Sequence, residues 1–365
     1  SNSTTFCYDI NMLHQLIIIR NFLARKKYQW ILKPIFFRFD PEIIHDRMLN
    51  FLRLLGKYGI ARKIVRFYFY YSNPILEQNI LGIKFKNPVG LSAGFDKDAN
   101  LTAILPSIGF GFMEVGSITG DPCVGNPKPR LWRMKKSKSL AVYYGLKNDG
   151  CEAISEKLKG KKFSIPVGIS IAKTNSPKTV SVEKAILDYF KTYQIFSGTG
   201  DYAVINISCP NAYGGEPFTD SAKLRALLEK IFSIPKTKPV FLKLSPDSSK
   251  KEIDGLIGVA VEFGIDGFVC SNLTKNRNNP AILDEFVPKP GGLSGKILDN
   301  LSTELIRYVY KKSLDGADEG IRKFVIIGAG GISSAEDAYK KIKAGASLIE
   351  LITGMIFEGP QLISD

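Results

Sequence analysis

A six-residue segment of the sequence brings together a thiol and two carboxamide side chains. It reads Asn206-Ile-Ser-Cys209-Pro-Asn211, and it follows an apolar run that is typical of a buried strand. Carboxamides donate and accept hydrogen bonds at the edges of a planar heterocycle, and a thiol can accept a proton as a general base. A free cysteine is more often a small buried apolar residue, but a position before proline in a loop favours catalysis. Cys209 is therefore our candidate base.

Two lysines lie among apolar or small residues near the ends of apolar runs. Lys97 closes the segment Ala93-Gly94-Phe-Asp-Lys97, and Lys243 lies within Val-Phe-Leu-Lys-Leu. An ammonium group is costly to bury unless it has an anionic partner. A flavin ring, whose N1 side becomes negative on reduction, would be such a partner.

Small residues follow the last two apolar runs. Gly330-Gly331 comes after the run 324–327, and Thr353-Gly354 comes after the run 348–352. Glycines let backbone N–H groups approach an anion closely, and the loops after the last two strands of a barrel often bind phosphate. One Gly-Gly pair would be an ordinary turn, whereas two such turns favour a phosphate site.

Eight short apolar runs predict eight strands, at Val89–Ala93, Phe112–Ser117, Pro166–Ile171, Tyr202–Ile207, Val240–Leu244, Gly267–Cys270, Phe324–Ile327 and Leu348–Ile352. Helical periodicity lies between most of them, at Ser181–Phe196, Ser221–Ile231, Lys250–Phe263, Ser302–Lys312 and Ala335–Ala344. Strands that alternate with helices indicate a parallel sheet, and eight such units predict a (β/α)8 TIM barrel. The inserts at 118–150 and 272–300 are expected to cover one mouth of the barrel.

The first 72 residues differ from the rest in charge and aromatic content. They hold 12 Lys and Arg against four Asp and Glu, in a 365-residue chain whose net charge is +15. Basic residues beside aromatic and aliphatic ones are typical of amphipathic helices on a membrane surface. A basic helical cap on the main domain is the alternative. We assign residues 1–75 to an N-terminal helical extension and residues 76–365 to the barrel.

The composition excludes several classes of function. Two histidines and five irregularly spaced cysteines offer little for a zinc centre, a Ser-His triad or a disulfide framework, so no metal is expected. No recognised nucleic-acid-binding motif accompanies the basic charge. The apolar run 16–19 is far shorter than the ~20 residues that span a bilayer, and no signal peptide is expected.

Several segments together resemble the dihydroorotate dehydrogenase family. They are 87–97, 109–117, 125–133, 291–295 and 345–350, and the similarity extends over residues 28–363. Asp40-Pro41-Glu42 with His45 resembles the start of the membrane-associated, quinone-linked class 2 enzymes. The resemblance implies an FMN-containing (β/α)8 barrel that oxidises dihydroorotate to orotate in pyrimidine biosynthesis and passes electrons to a quinone.

The same resemblance implies roles for individual residues. Cys209 would take a proton from C5 of the substrate while hydride leaves C6, and Arg133 would lie near the quinone entrance. The substrate's carboxylate and ring amides would be held by Lys97, Asn206, Asn211 and Asn272. FMN would be held by Ala93, Gly94, Lys97, Ser117, Asn206, Lys243, Ser271, Gly295, Gly330, Gly331, Thr353 and Gly354.

The sequence departs from the class 2 pattern at five positions. Class 2 enzymes use Ser as the base, whereas Cys209 and its loop are similar to the soluble class 1 enzymes. An Asn and a Thr that bind substrate in class 2 are replaced by Val142 and Leu273. A Tyr and an Asn near the flavin are replaced by Ile352 and Ser170. The resemblance therefore covers the flavin site better than the substrate site.

Three functions are open at this point. The first is a quinone-linked dihydroorotate dehydrogenase in peripheral contact with a bacterial or mitochondrial inner membrane, with the cytoplasm as the alternative location. The second is a divergent paralogue that acts on another dihydropyrimidine-like or less polar ring, which Val142 and Leu273 favour. The third is a flavin-binding protein without catalytic turnover.

Overall fold

The N-terminal part of the chain is helical. The computed structural model describes residues 2–318 and 323–365, with side chains for 14–316 and 323–365. Helix α1, Asn2–Lys27, continues through a π-helical turn, Tyr28–Leu32, and is followed by α2 Lys33–Phe36, α3 Pro41–Lys57 and α4 Gly59–Phe69. The Asp40 carboxylate caps α3, because it accepts hydrogen bonds from the backbone N–H groups of Glu42 and Ile43 at 2.8 and 3.0 Å.

Thirteen strands lie in the described residues: β1 Gln78–Ile80, β2 Ile83–Phe85, β3 Val89–Leu91, β4 Phe112–Ile118, β5 Leu131–Met134, β6 Ser139–Val142, β7 Val167–Ile171, β8 Tyr202–Asn206, β9 Val240–Leu244, β10 Gly267–Cys270, β11 Gly292–Gly295, β12 Val325–Ala329 and β13 Leu348–Leu351. Eight of them form a closed parallel barrel in the order β3, β4, β7, β8, β9, β10, β12 and β13. These are the eight predicted strands, and the predicted TIM barrel is confirmed.

Helices connect the barrel strands on the outside. They are α5 Leu105–Ile108, α6 Cys151–Leu158, α7 Val182–Ile195, α8 Ser221–Ile231, α9 Lys250–Glu262, α10 Asp299–Asp318, α11 Ala335–Lys343 and α12 Thr353–Glu358. The five predicted helices are present, and α10 is longer than the predicted 302–312. Their apolar faces and the outward residues of the strands form the main hydrophobic core.

The lower half of the barrel interior is filled by large side chains. The rings of Phe112, Tyr202 and Phe241 pack there, and the β1–β2 hairpin closes the barrel from below with Phe85. Glycine is required opposite the Tyr202 ring, because a Cβ at Gly168 would lie 2.3 Å from that ring. The aromatic layer leaves only the upper half of the interior for polar residues.

A three-stranded antiparallel sheet covers the upper mouth of the barrel. Its strands β5, β6 and β11 come from the two inserts that were expected to lie there. The sequence did not indicate these strands, because each has only four residues and β11 pairs with β6 across about 150 residues of chain. The cover turns the open barrel mouth into a partly covered cavity.

The N-terminal helices are fastened to the barrel by polar contacts. Arg20 in α1 donates hydrogen bonds to the carbonyls of Phe67 and Tyr70 and to the hydroxyl of Ser364. The Tyr28 hydroxyl donates to the carbonyl of Ile356 at 2.6 Å. No helix in the described residues has both the length and the apolar character that a membrane span requires.

We expect Gly168→Ala to lower the free energy of unfolding by roughly 1–3 kcal/mol, because its Cβ would overlap the Tyr202 ring. Denaturant unfolding measures the change. Gly258→Ala in α9 is the matched control, since nothing lies within 4 Å of its Cβ and alanine favours the helix. A Gly168→Ala variant as stable as the wild type would contradict the packing described here.

Candidate active site

One large cavity lies between the barrel mouth and its cover. Its empty volume is about 1260 Å³, which includes the part that is open to solvent. Fifteen of the sequence-predicted residues line it: Ala93, Gly94, Lys97, Ser117, Asn206, Cys209, Asn211, Lys243, Ser271, Asn272, Gly295, Gly330, Gly331, Thr353 and Gly354. Segments that span more than 260 residues of chain therefore meet at the carboxyl ends of the strands, where barrel enzymes carry their chemistry.

One end of the cavity is a glycine-rich backbone cradle. Gly330 and Gly331 have φ values of +108° and +80°, and a Cβ on Gly331 would lie 2.3 Å from the Cα of Asp299. A Cβ on Gly354 would lie 1.9 Å from the carbonyl oxygen of Ile332. In the described residues, the N–H groups of Gly330 and Gly331 donate no hydrogen bond. Unpaired backbone donors beside a cavity are suited to bind the oxygens of a phosphate group.

A chain of hydrogen bonds connects the polar side chains along one wall. The Asn206 amide donates to the Ser117 hydroxyl at 2.9 Å, and that hydroxyl lies 2.8 Å from the Ser170 hydroxyl. Asn272 donates to Asn206 at 3.0 Å and to the Ser208 hydroxyl at 3.1 Å. These contacts fix which edge of each carboxamide faces the cavity.

Asn211 presents an unsatisfied acceptor to the cavity. Its amide nitrogen donates to the carbonyl of Val142 at 2.9 Å, while its Oδ1 atom is buried without a hydrogen-bond partner in the described residues. A buried acceptor without a donor costs about 1–3 kcal/mol. A ligand with a ring N–H group would supply the missing donor.

Cys209 borders both the main cavity and a smaller one behind it. The small cavity measures about 220 Å³ and is also lined by Lys173 and Tyr189. Burial raises the pKa of the Cys209 thiol to about 11, while the backbone N–H of Asn211 and the charge of Lys173 act in the opposite direction. The thiolate is therefore a minor species at neutral pH.

Lys173 is buried below the loop that carries Cys209. Its ammonium group donates to the backbone carbonyls of Tyr213 and Thr179, and it forms no ion pair within 4.0 Å among the described residues. Burial lowers the pKa of Lys173, while the charges of Cys209 and Asp188 favour its protonated form. The lysine is thus the main cation facing the thiol from behind.

Lys97 lies in an unusual positive environment at the opposite wall. Its ammonium nitrogen is 3.3 Å from Nε2 of His45 and 4.1 Å from the centre of the Tyr144 ring. Burial, followed by the charge of Lys147, lowers the pKa of Lys97 to about 8. Burial and the charges of the two lysines hold the pKa of His45 well below its usual value. His45 is therefore neutral and accepts a hydrogen bond from Lys97.

Two of the substituted positions, Val142 and Leu273, lie together on the cover side of the cavity. Val142 pairs with Gly292 in the cover sheet, and the Leu273 side chain packs against Gly292. Both side chains line the cavity, as does Ile352. This wall is apolar where the class 2 pattern is polar.

Arg133 does not line the main cavity. It lies beside a shallow surface cavity of about 720 Å³ with Phe37, Phe39 and Trp132. Its guanidinium group donates to the Phe39 carbonyl at 2.8 Å and lies 4.6 Å from the centre of the Phe37 ring. The structure places Arg133 at the joint between the N-terminal helices and the cover sheet.

A family model for dihydroorotate dehydrogenase matches residues 75–365. The chain belongs to the dihydroorotate dehydrogenase family. It is 40% identical over 342 residues to a dihydroorotate dehydrogenase (quinone) of Christiangramia forsetii, covering 93% of this chain and 97% of that one. A protein of the same name from Haloarcula marismortui is 36% identical, with 91% of each chain covered. Enzymes of this family are oxidoreductases that generally depend on a flavin.

Solved structures of proteins named DHODH have the same fold as this chain. A crystal structure of DHODH from Eimeria tenella in complex with ferulenol superposes with a TM-score of 0.77 at 31% identity, covering 89% of each chain. The ligand-free form from the same organism gives 0.76.

Four titratable residues of the cavity were not assigned a role from the sequence. His45, Tyr144, Lys147 and Glu350 all line the main cavity. His45 and Tyr144 reach it from the N-terminal helices and the cover, whose positions the sequence did not specify. Glu350 lies inside an apolar run that predicts a strand, and nothing in that run indicates a further role for the glutamate. Among the described residues, no group of three or more His, Cys, Asp or Glu side chains could hold a metal ion.

We expect Lys173→Met to raise the pKa of Cys209 further, because it removes the cation that opposes the effect of burial. The measurement is the pH dependence of alkylation of Cys209 by iodoacetamide, with Cys209→Ser as the blank. At a fixed pH below 10 the variant should react more slowly than the wild type.

Lys173→Arg keeps the charge and is the control for that experiment. It should alkylate at nearly the wild-type rate if charge is the cause. Equal alkylation profiles for Lys173→Met and the wild type would mean that Lys173 only supports the loop.

Proposed function

We propose that the protein oxidises dihydroorotate to orotate with FMN as cofactor and a quinone as electron acceptor, as a step of pyrimidine biosynthesis. The observation that carries this proposal is the cavity itself. It gathers a phosphate-type glycine cradle, the buried Lys243 and the half-buried Lys97, a row of carboxamides and a thiol, in a chain 40% identical to a relative of that name.

The residues present fit FMN. Gly330, Gly331 and Gly354 leave room and backbone donors for its phosphate, and Ser117 with Asn206 offers hydrogen bonds to a planar ring. Lys243 lies at the floor of the cavity, 4% exposed, and would balance negative charge on the ring. The chemistry that bound FMN supplies is acceptance of a hydride from the substrate and delivery of two electrons to the quinone.

The chain's own residues would hold the substrate and move its proton. Lys97 and Asn272 would bind the carboxylate, and the free Oδ1 atom of Asn211 would accept a hydrogen bond from a ring N–H. The sulfur of Cys209 would take the proton from C5. With a pKa of about 11, roughly one thiol in a thousand is ionised at pH 8. Lys173 would make the thiolate less costly.

Turnover should respond to pH in two opposite ways. Reduction of the flavin should speed up as pH rises towards the pKa of Cys209, because the thiolate is the base. Affinity for the anionic substrate should fall above pH 8, because Lys97 loses its charge as pH rises through its pKa of about 8. Single-turnover kinetics separate the two effects.

The deciding experiment is anaerobic. We expect dihydroorotate to bleach the flavin of the purified protein and a soluble quinone analogue to restore its colour. Cys209→Ala should slow bleaching by about 10²–10⁴-fold without loss of flavin. Cys209→Ser should retain part of the rate, since a hydroxyl serves as base in class 2 relatives. No bleaching by dihydroorotate, in protein that binds FMN, would refute the proposed reaction.

A second candidate is oxidation of a less polar ring on the same barrel. The apolar wall of Val142 and Leu273 favours it, because a polar substrate group facing this wall would lack a partner. Val142→Asn combined with Leu273→Thr distinguishes the two. If the double variant binds dihydroorotate at least tenfold more tightly than the wild type, the wild-type cavity is shaped for another ring.

We further propose that residues 1–75 lie on a membrane and lead the quinone to the cavity. The helices expose large apolar side chains to solvent, among them Trp30, Ile60, Ile64 and Phe67. Arg62, Arg66 and Lys86 surround a surface cavity of about 550 Å³ next to α4, and no acidic residue lines it. Apolar side chains beside basic side chains suit a surface of anionic lipids.

We expect Ile60→Asp with Phe67→Asp to abolish cosedimentation with vesicles of anionic phospholipid, since both side chains are 76% exposed and their replacement leaves the fold intact. Leu187→Asp in α7 is the matched control, because Leu187 is also exposed but lies on the barrel. Binding that survives the first pair of changes, or is lost with the control, would contradict the proposed surface.

A further inference from the structure

Two glutamates are buried together at the centre of the barrel. Glu114 in β4 and Glu350 in β13 are both 0% exposed, and Glu350 also forms part of the floor of the main cavity. All four of their carboxyl oxygens lack a hydrogen-bond donor among the described residues. The proposed reaction assigns no task to either residue.

Among the residues that the structure describes, one cation lies beside the pair. The ammonium nitrogen of Lys243 lies 3.7 Å from Oε2 of Glu114 and donates to the Ser92 hydroxyl at 3.3 Å. Tyr202 approaches from the aromatic layer below, and its hydroxyl also lacks a partner. Burial and the two glutamates raise the pKa of Tyr202 well above its usual value, so that it is a neutral group.

Two ionised glutamates would not be stable in this position. Each charge would be out of water, the two carboxylates would repel one another, and one lysine could balance only one of them. Two ionised carboxylates also have no proton with which to form a hydrogen bond to one another. A single proton between them removes the excess charge and supplies the missing donor.

Glu350 is the glutamate that would hold this proton. Burial is the main cause that raises its pKa well above the usual range, and the charge of Glu114 acts in the same direction. Lys243 and Ser92 oppose these effects more weakly. Glu114 is the residue that lies within ion-pair distance of Lys243.

We propose that Glu350 is a neutral carboxylic acid that donates its proton to Glu114, and that this acid pair positions Lys243 below the ring of the flavin. Glu114 is the counter-ion of the lysine, and Glu350 orients Glu114. Because Glu350 faces the cavity, its neutral form also keeps a second negative charge away from the ring as the ring takes up electrons. The inference rests on FMN binding in this cavity but not on the identity of the substrate.

Infrared spectroscopy tests the proton directly. At pH 8 the wild type should show the carbonyl stretch of a protonated carboxylic acid, which shifts in D2O. The buried carboxyl of Asp96 has a pKa of about 6 and is ionised at this pH, so that it does not interfere. The band should be lost in Glu350→Gln. It should also be lost in Glu114→Gln, where Glu350 becomes the only acid beside Lys243 and ionises. A wild-type spectrum without the band overturns the proposal, and this measurement needs no variant.

The reduction potential of the bound flavin tests the positioning role. Glu350→Gln preserves a neutral donor, so the relative affinity for reduced and oxidised flavin should change less than tenfold, which is about 30 mV for a two-electron couple. Glu350→Leu is the matched variant, because it is neutral but cannot donate. It should release flavin more readily, measured as fluorescence of free FMN.

The opposite results overturn the proposal. In Glu350→Gln, the relative affinity for reduced over oxidised flavin could instead rise more than tenfold. This result would mean that the substitution had removed a negative charge, so that Glu350 is ionised in the wild type. Equal retention of flavin in the Gln and Leu variants would remove the positioning role. Neither measurement involves dihydroorotate, so failure of the proposed reaction leaves this test intact.

Discussion

The ammonium group of Lys243 is buried inside the barrel, and much of the site follows from that constraint. A buried charge is tolerated only where counter-charge and hydrogen bonds surround it. The rings of Phe112, Tyr202 and Phe241 exclude water from below and confine polar groups to the upper half. Lys243 follows Phe241 by two residues in β9, so both side chains point into the barrel. Phe241 lies in the lower, aromatic layer and Lys243 in the upper, polar one.

The cover sheet and the N-terminal helices complete the site together. Glu42 in α3 forms a buried ion pair with Arg130, whose guanidinium group also donates to the carbonyls of Val124 and Asn126. Burial alone would raise the pKa of Glu42, but the hydrogen bonds and the charge of Arg130 outweigh burial, so the pKa of Glu42 is lowered. Asn126 in turn donates to the carbonyl of Asn211 at 3.1 Å. The loop with the thiol therefore depends on contacts that begin in the N-terminal helices.

The barrel could be predicted from the sequence because parallel strands are buried on both faces and appear as apolar runs. Most candidate residues of the cavity come directly after those runs, whereas Gly295 was implied only by the resemblance to the family. Arg133 was expected near a quinone entrance, and the structure places it at the joint between α2 and the cover sheet, where that role stays a prediction.

Other parts of the site could not be predicted. The strands β5, β6 and β11 are too short to show periodicity, and their pairing joins distant segments. Glu114 and Glu350 each interrupt an apolar run by one residue, which does not reveal that the two side chains meet. His45 reaches Lys97 only because α3 docks over the mouth. These contacts belong to tertiary packing rather than to local patterns.

The contacts between α1 and the last described residues set an order of assembly during synthesis. Asn21 donates to Asp365 at 2.9 Å, and Arg25 forms an ion pair with the same carboxylate. Asp365 is separated from each of these partners by 340 residues or more, so the ribosome adds it about 20–70 s after it adds Asn21 and Arg25. During that interval the N-terminal helices have no barrel on which to dock. The segment that is made first therefore completes its contacts with the barrel only at the end of synthesis.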